Sequence, residues 1–232
     1  MKTVLMHAKG MNVNNDQIKT KDRVADHGEV YTSHREVSSM LDLVDHETKR
    51  IESKFLEPAC GNGNFLIEVL KRKVEVIHKR YSSSQIDFER NLFLATTSIY
   101  GIDIQQDNVN ECQKRLLKFL TDSYKKLFKK TYNPQFIKSL SFVIAKNILC
   151  GDALSLKAYD NDLIGTPIIF SDWSLISGNM VKRKDFIFSD LVERASDREM
   201  PLFSDLDDDD EAFIPEPVEE FAPIDFMSLE NG

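Results

Sequence analysis

The sequence predicts an α/β fold built on a mostly parallel sheet, followed by an acidic C-terminal extension. Three observations predict it. Short apolar runs alternate with stretches of helical periodicity between residues 33 and 154. A loop carrying two glycines separates the first of these runs from the helix after it. The charge also changes sign along the chain: residues 1 to 189 hold 28 Lys and Arg against 23 Asp and Glu, and residues 190 to 232 hold 2 against 15. A length of 232 residues suits one α/β domain with a tail or small subdomain. At 41% hydrophobic and 29% charged, the composition excludes collagen-like, fully disordered and disulfide-rich classes.

The first 32 residues are polar and lack periodicity. Ser33 then offers an N-cap and Glu36 the reciprocal partner of a capping box, so Val37, Met40, Leu41 and Val44 mark a helix running to about Arg50. Lys54 to Glu57 is a short apolar run stopped by Pro58. Gly61 and Gly63 follow, and then Phe65, Leu66, Val69, Leu70, Val74 and Ile77 at helical spacing. Residues 86 to 98 read as helix and Ser98 to Ile104 as a second buried strand. A long amphipathic helix begins near Asp107, and another runs from Asn133-Pro134 to about Lys146. A third strand, Asn147 to Cys150, ends at Gly151-Asp152-Ala153-Leu154. Pro167 to Phe170 and Asp185 to Phe188 form short strands, paired as a hairpin around Gly178-Asn179. From Asp190 acid and proline dominate, with Phe203, Phe213, Phe221 and Phe226 interleaved, and rings so placed are expected to dock on this chain or on a partner.

The longest charge-free runs, such as Asn91 to Ile102, fall far short of the ~20 apolar residues that cross a bilayer, and the N-terminus lacks a secretory apolar core. No membrane partner and a cytoplasmic location are therefore expected. Cys60, Cys112 and Cys150 stand far apart with no Cys-x-x-Cys, which argues against a structural metal and against disulfides. The mildly basic body is compatible with a polyanionic partner.

Ligands of doubly wound sheets bind at the carboxyl ends of the strands. After the first strand, Glu57-Pro58-Ala59-Cys60-Gly61-Asn62-Gly63 lets backbone approach a ligand and leads into a helix N-terminus suited to a carboxylate or phosphate. After the second, Asp103 stands where an acid accepts hydrogen bonds from both hydroxyls of a ribose. After the third, Asp152 suits an exocyclic amine and the Ala153 N–H a ring nitrogen. Each has a plainer reading alone: Glu57 and Asp103 as acids at helix starts, Asp152 as a turn acid, the glycines as a structural turn. In this order, each at a strand end, they describe an adenosine site.

Phe55-Leu-Glu-Pro-Ala-Cys-Gly-Asn-Gly-Asn-Phe-Leu66 closely resembles the S-adenosylmethionine-binding motif of the γ-type N6-adenine DNA methyltransferases of restriction-modification systems. Asp26-His-Gly-Glu-Val-Tyr-Thr-Ser33, 25 residues upstream, looks like the Gly-x-Val-x-Thr-Pro element that opens the same domain, with Ser33 in place of the proline. Tyr100 to Ile104 and Gly151 to Leu154 resemble the next two motifs. The resemblance spans residues 20 to 155 and implies a Rossmann-like class I S-adenosylmethionine-dependent methyltransferase sheet with helices on both faces. It implies that Thr32 and the backbone of Ala59, Cys60 and Gly61 meet the methionine end, with Glu57, Pro58 and Gly63 also in the cofactor site. Asp103 would hold the ribose, Ile104 and Leu154 would pack on adenine, and Asp152 with Ala153 would hydrogen-bond it. The implied function is that of a DNA adenine methyltransferase subunit in a restriction-modification or phage-defence setting, acting on DNA. Its partner would be a second methyltransferase subunit, a specificity subunit or another copy of the chain.

One element departs from that family. Its fourth strand ends in Asn or Asp, Pro, Pro and an aromatic, which position the flipped adenine, and no Pro-Pro occurs in this sequence. Ile168-Ile-Phe-Ser-Asp-Trp173 is the nearest substitute, but Trp173 reads first as a buried packing residue. Only 80 residues follow Asp152, few for the remaining strands and a target-recognition domain, so an incomplete sheet is expected and no catalytic residue is assigned. The alternative is a catalytically silent S-adenosylmethionine-binding regulatory or interaction protein. The expected organisation is an N-terminal segment (1–19), a methyltransferase-like domain (20–155), a strand and hairpin region (156–189) and an acidic tail (190–232).

Overall fold

A computed structural model describes residues 32–160, 163–192 and 216–231. The upstream part of the opening motif, Asp26 to Tyr31, lies outside the described residues, as do Phe203, Phe213 and the acid run Asp207 to Glu211. The architecture is α/β. Five strands, β1 (Phe55–Glu57), β2 (Ile99–Asp103), β3 (Ile148–Asp152), β4 (Lys157–Asp160) and β5 (Leu163–Pro167), form one sheet in the order β1-β2-β3-β4-β5. The pairs β1/β2 and β2/β3 are parallel, whereas β3/β4 and β4/β5 are antiparallel. A mostly parallel sheet was expected, and the mixed sheet corrects that. The β4–β5 hairpin follows β3 through a tight turn in which Leu156 takes a φ of 58°, and the single strand expected at Pro167 to Phe170 is split, Pro167 closing β5 and Ile169 opening β6 in the other sheet.

The parallel half forms where the sequence alternates most cleanly. Helix α1 (His34–Asp42) starts on the Ser33–Glu36 capping box. It ends earlier than its apolar stripe suggests: the bonds tighten to Leu43 N–H to Met40 O and Val44 N–H to Leu41 O, and Val44 leaves helical dihedrals before the single turn α2 (Asp45–Thr48). Helices α3 (Asn64–Tyr81) and α4 (Gln85–Thr97) connect β1 to β2, and α5 (Gln106–Phe128) and α6 (Pro134–Asn147) connect β2 to β3. Their apolar stripes bury Leu66, Val69 and Leu70, Leu92 and Phe93, Leu116 and Leu120, and Phe136 and Leu140 in one core with Ile99 and Ile148.

The four crossover helices α3 to α6 share one core with Ile99 and Ile148, and the second face of the parallel strands is covered differently. Tyr100 and Ile102 meet Ile168, Phe170 and Phe188 there instead. These come from or flank a second sheet, in which β6 (Ile169–Leu175) and β7 (Met180–Ile187) form the expected hairpin, turning at Gly178 with a φ of 56°. The outer edge of β7 is paired by two pieces of the tail, β8 (Glu219–Glu220) and β9 (Ile224–Asp225). A 3₁₀ segment, Phe226–Asn231, follows and sends Phe226 and Leu229 into the main core. Phe221 lies under the Arg183 guanidinium, 3.5 Å from its Cζ, and Glu220 pairs with Lys182 and Lys184. These two rings of the tail dock on this chain, with Glu220 facing a basic pair on β7.

Candidate functional site

The glycine loop leaves the carboxyl end of β1 and is held by two hydrogen bonds to the end of β2 and one within itself. Cys60 N–H donates to Ile102 O at 2.8 Å, which ties the loop to β2. Gly61 N–H donates to Asp103 Oδ2 at 2.8 Å, and Gly63 N–H to Cys60 O at 2.8 Å. Gly61 and Gly63 take positive φ values of 50° and 86°. A β-carbon on Gly63 would also stand 2.6 Å from Cys112 Sγ, so both conformation and space require glycine there. Helix α3 then begins without a side-chain cap and without an acid in its first turn.

Pro58 and Ala59 are exposed and present backbone at this end of the sheet. Cys60 points its side chain inward. The neighbouring Cys112 thiol first, and burial second, push its pKa far up, so it is an inert thiol that contributes through its backbone. Burial raises the pKa of Glu57. Thr32, exposed, is held at the same place because its carbonyl accepts from Asn64 Nδ2 at 3.2 Å. Asn64 Oδ1 and the Asn62 carbonyl in turn accept from Arg115 Nη1 at 3.0 and 2.6 Å.

Asp103 is buried and accepts three hydrogen bonds, from Gly61 N–H, from Gln105 N–H at 2.9 Å and from Asn108 Nδ2 at 3.2 Å. It thereby joins the loop, β2 and the start of α5. A carboxylate offers about four lone-pair positions. One position therefore remains, and a ribose that used both oxygens would displace one of these internal donors.

Ile104 is exposed just beyond, and its carbonyl accepts from Cys150 Sγ at 3.7 Å, which brings the end of β2 beside β3. At the third strand end Asp152 and Ala153 are half-buried and Leu154 is 96% exposed. Asp152 Oδ1 accepts from Leu154 N–H at 2.9 Å, and that bond, followed by contacts to Ser155, lowers its pKa. Asp152 thus acts as a turn acid of the β3–β4 hairpin.

The structure brings Thr32, the loop from Glu57 to Gly63 and Asp103 together through hydrogen bonds, with Ile104 and Cys150 adjacent. It does not bring Asp172 and Trp173 to this end. The two side chains point to opposite faces of β6. Trp173 packs edge-on against Phe93 and Phe142 and donates from Nε1 to Asn147 Oδ1 at 3.2 Å, a packing residue as its sequence context suggested. Asp172 pairs with Lys54, which precedes β1 and so lies at the opposite end of that strand from the loop. Lys54, Leu56, Tyr100, Phe170, Asp172 and Phe186 help line a cavity of about 680 Å³ between β1, β2 and the β6–β7 hairpin, not over the strand ends.

Sequence reasoning missed Arg115 and Asn64. Arg115 reads as an ordinary basic residue on an amphipathic helix, and its partners lie 51 and 53 residues away. The chain matches no known family, curated protein or solved structure in the three comparisons made. Among the described residues no helix is long and apolar enough to cross a membrane.

Proposed function

We propose that the chain is an S-adenosylmethionine-binding, DNA adenine-N6 methyltransferase-like subunit of a restriction-modification or phage-defence system. In this reading β1, β2 and β3 with their crossover helices are the cofactor-binding half of a Rossmann-like class I methyltransferase sheet. The observation that carries the reading is the convergence of Thr32, the positive-φ glycine loop and buried Asp103 at the carboxyl ends of adjacent parallel strands. The residues present fit the cofactor. The uncapped, acid-free start of α3 suits a carboxylate, Asp103 keeps an acceptor position for a ribose hydroxyl, and exposed Ile104 and Leu154 offer apolar surface to a purine.

When bound, S-adenosylmethionine supplies an electrophilic methyl group. The chain's own part is to hold the cofactor. Transfer to adenine also requires an acceptor and an aromatic that orient the target amine, and orientation is a large share of rate enhancement. Asp172 is engaged by Lys54 and Trp173 is buried against helices, so neither serves that role as placed. The same observation favours the second reading, a silent S-adenosylmethionine-binding regulatory or interaction protein. The proposal is therefore a subunit that transfers methyl groups only with a partner, either another subunit or a second copy, on DNA. Calorimetric titration with S-adenosylmethionine, followed by tritiated-methyl transfer to mixed-sequence DNA, tests both parts. Saturable binding without transfer supports the cofactor reading, and transfer restored by an added methyltransferase or specificity subunit separates the partner-dependent enzyme from the silent protein. Robust transfer by the chain alone, abolished by Asp172→Ala, overturns the partner requirement.

A further inference from the structure

We infer that Arg115 is a positioning residue for the amino-acid half of the ligand, an inference that rests on the cofactor reading above. Among the described residues Arg50, Arg72 and Arg183 pair with carboxylates, whereas Arg115, like Arg90 at the Gly178 carbonyl, bonds neutral acceptors. Half-buried on α5, it spends both Nη1 hydrogens on neutral acceptors, the Asn62 carbonyl inside the glycine loop and Oδ1 of Asn64 at the start of α3. Asn64 passes the connection on, donating from Nδ2 to the Thr32 carbonyl. One guanidinium thus fixes two of the three segments that meet at the strand ends, and through Asn64 it fixes the third.

The path of these bonds says which half of a ligand they control. They reach the loop, the first turn of α3 and Thr32. None ends on Asp103, Ile104 or the turn after β3: Asp103 takes one bond from the loop, from Gly61 N–H, and two from beyond it, from Gln105 N–H and Asn108 Nδ2. The planar fork of an arginine can serve two acceptors in fixed geometry, which a flexible ammonium does less well. Arg115 therefore sets the distance between Thr32 and the loop, the gap that an aminobutyrate chain would occupy, and reaches the nucleoside end only indirectly, through Gly61 and its bond to Asp103.

Calorimetric titration with two probes tests this, using S-adenosylmethionine and 5′-methylthioadenosine, which carries the nucleoside without the amino-acid end. Arg115→Ala is expected to weaken S-adenosylmethionine about tenfold, the effect of losing a charge-assisted hydrogen bond, and to weaken methylthioadenosine clearly less, by about twofold at most. Asn64→Ala cuts the same connection from the other side and is expected to show the same selectivity. Arg115→Lys is expected to restore part of the loss. Melting temperatures identify variants damaged overall, and for these Asn64→Ala decides. Equal losses for both probes, or no loss for S-adenosylmethionine, overturn the inference while the cofactor reading stands. No binding of S-adenosylmethionine to the unsubstituted chain removes the cofactor reading, and the inference with it.

Discussion

Truncating Phe226 to alanine tests whether the C-terminal segment is part of the fold or an appendage. The ring has no exposed surface, stacks on Phe93 with centroids 4.8 Å apart and meets Phe136 edge-on at 6.1 Å. Its backbone N–H donates to Asn179 O at 2.9 Å, and three residues on Leu229 N–H donates to Ser139 Oγ at 3.2 Å. Removing a buried phenylalanine costs about 3 to 5 kcal/mol, and two aromatic contacts account for roughly 0.5 to 1.5 kcal/mol each. The segment can detach rather than leave a cavity, which caps the loss at its own docking free energy and favours the lower figure, about 3 kcal/mol. For a chain of 232 residues that is a fall in Tm of roughly 6 to 12 °C. Urea unfolding followed by circular dichroism measures it. The single tryptophan, Trp173, reports the site directly, because it packs against the same Phe93, so its emission should shift to the red in the variant. A Phe226→Ala protein within about 0.5 kcal/mol of the unsubstituted chain, with unchanged emission, would refute the docking.

Other expectations follow from single observations. Gly63→Ala forces a β-carbon onto Cys112 at a φ of 86° and should cost about 1 to 3 kcal/mol, with loss of S-adenosylmethionine binding; a variant as stable and as tight as the unsubstituted chain would contradict the loop geometry. Asp103→Ala should weaken cofactor binding by about 1 to 3 kcal/mol, measured by the same titration. Burial pushes the buried Lys73 ammonium down to about 7 from 10.5. Between those values the unfolded chain binds the extra proton, so stability should rise with pH by at most about 1.4 kcal/mol per unit. Lys73→Met should flatten that slope in urea midpoints taken at several pH values. Hydrogen bonds from Lys182 and Lys184 hold the exposed Glu220 carboxylate down to about 2. That contribution is present above its ordinary value of 4.5 and lost as pH falls through 2, so contacts of the 216–231 segment should loosen in acid, seen as dye binding.

What the sequence made legible was local. The Ser33–Glu36 box, the proline start of α6 and the order strand, glycine loop, helix depend on residues within a few positions of one another, and all are present. The hydrogen bond between Gly61 and Asp103 joins two motifs that the sequence had already placed at strand ends. What it could not show depends on distant partners. The weak pattern after Leu154 hides the β4–β5 hairpin, and the spacing of aromatics in the tail does not reveal that Phe226 stacks on Phe93, 133 positions away. Likewise nothing in Asp172-Trp173 tells that Lys54 takes the acid and Asn147 the indole, which turns an apparent acceptor and aromatic pair into a salt bridge and a core anchor.

The central claim is that the loop after β1 holds S-adenosylmethionine, and one calorimetric titration of the full chain with S-adenosylmethionine tests it most directly. Saturable heat is expected at one site per chain with a dissociation constant below about 1 mM, equivalent to about −4 kcal/mol, with a marked loss in Asp103→Ala. Absence of saturable heat at millimolar cofactor, or binding that Asp103→Ala leaves untouched, would contradict it.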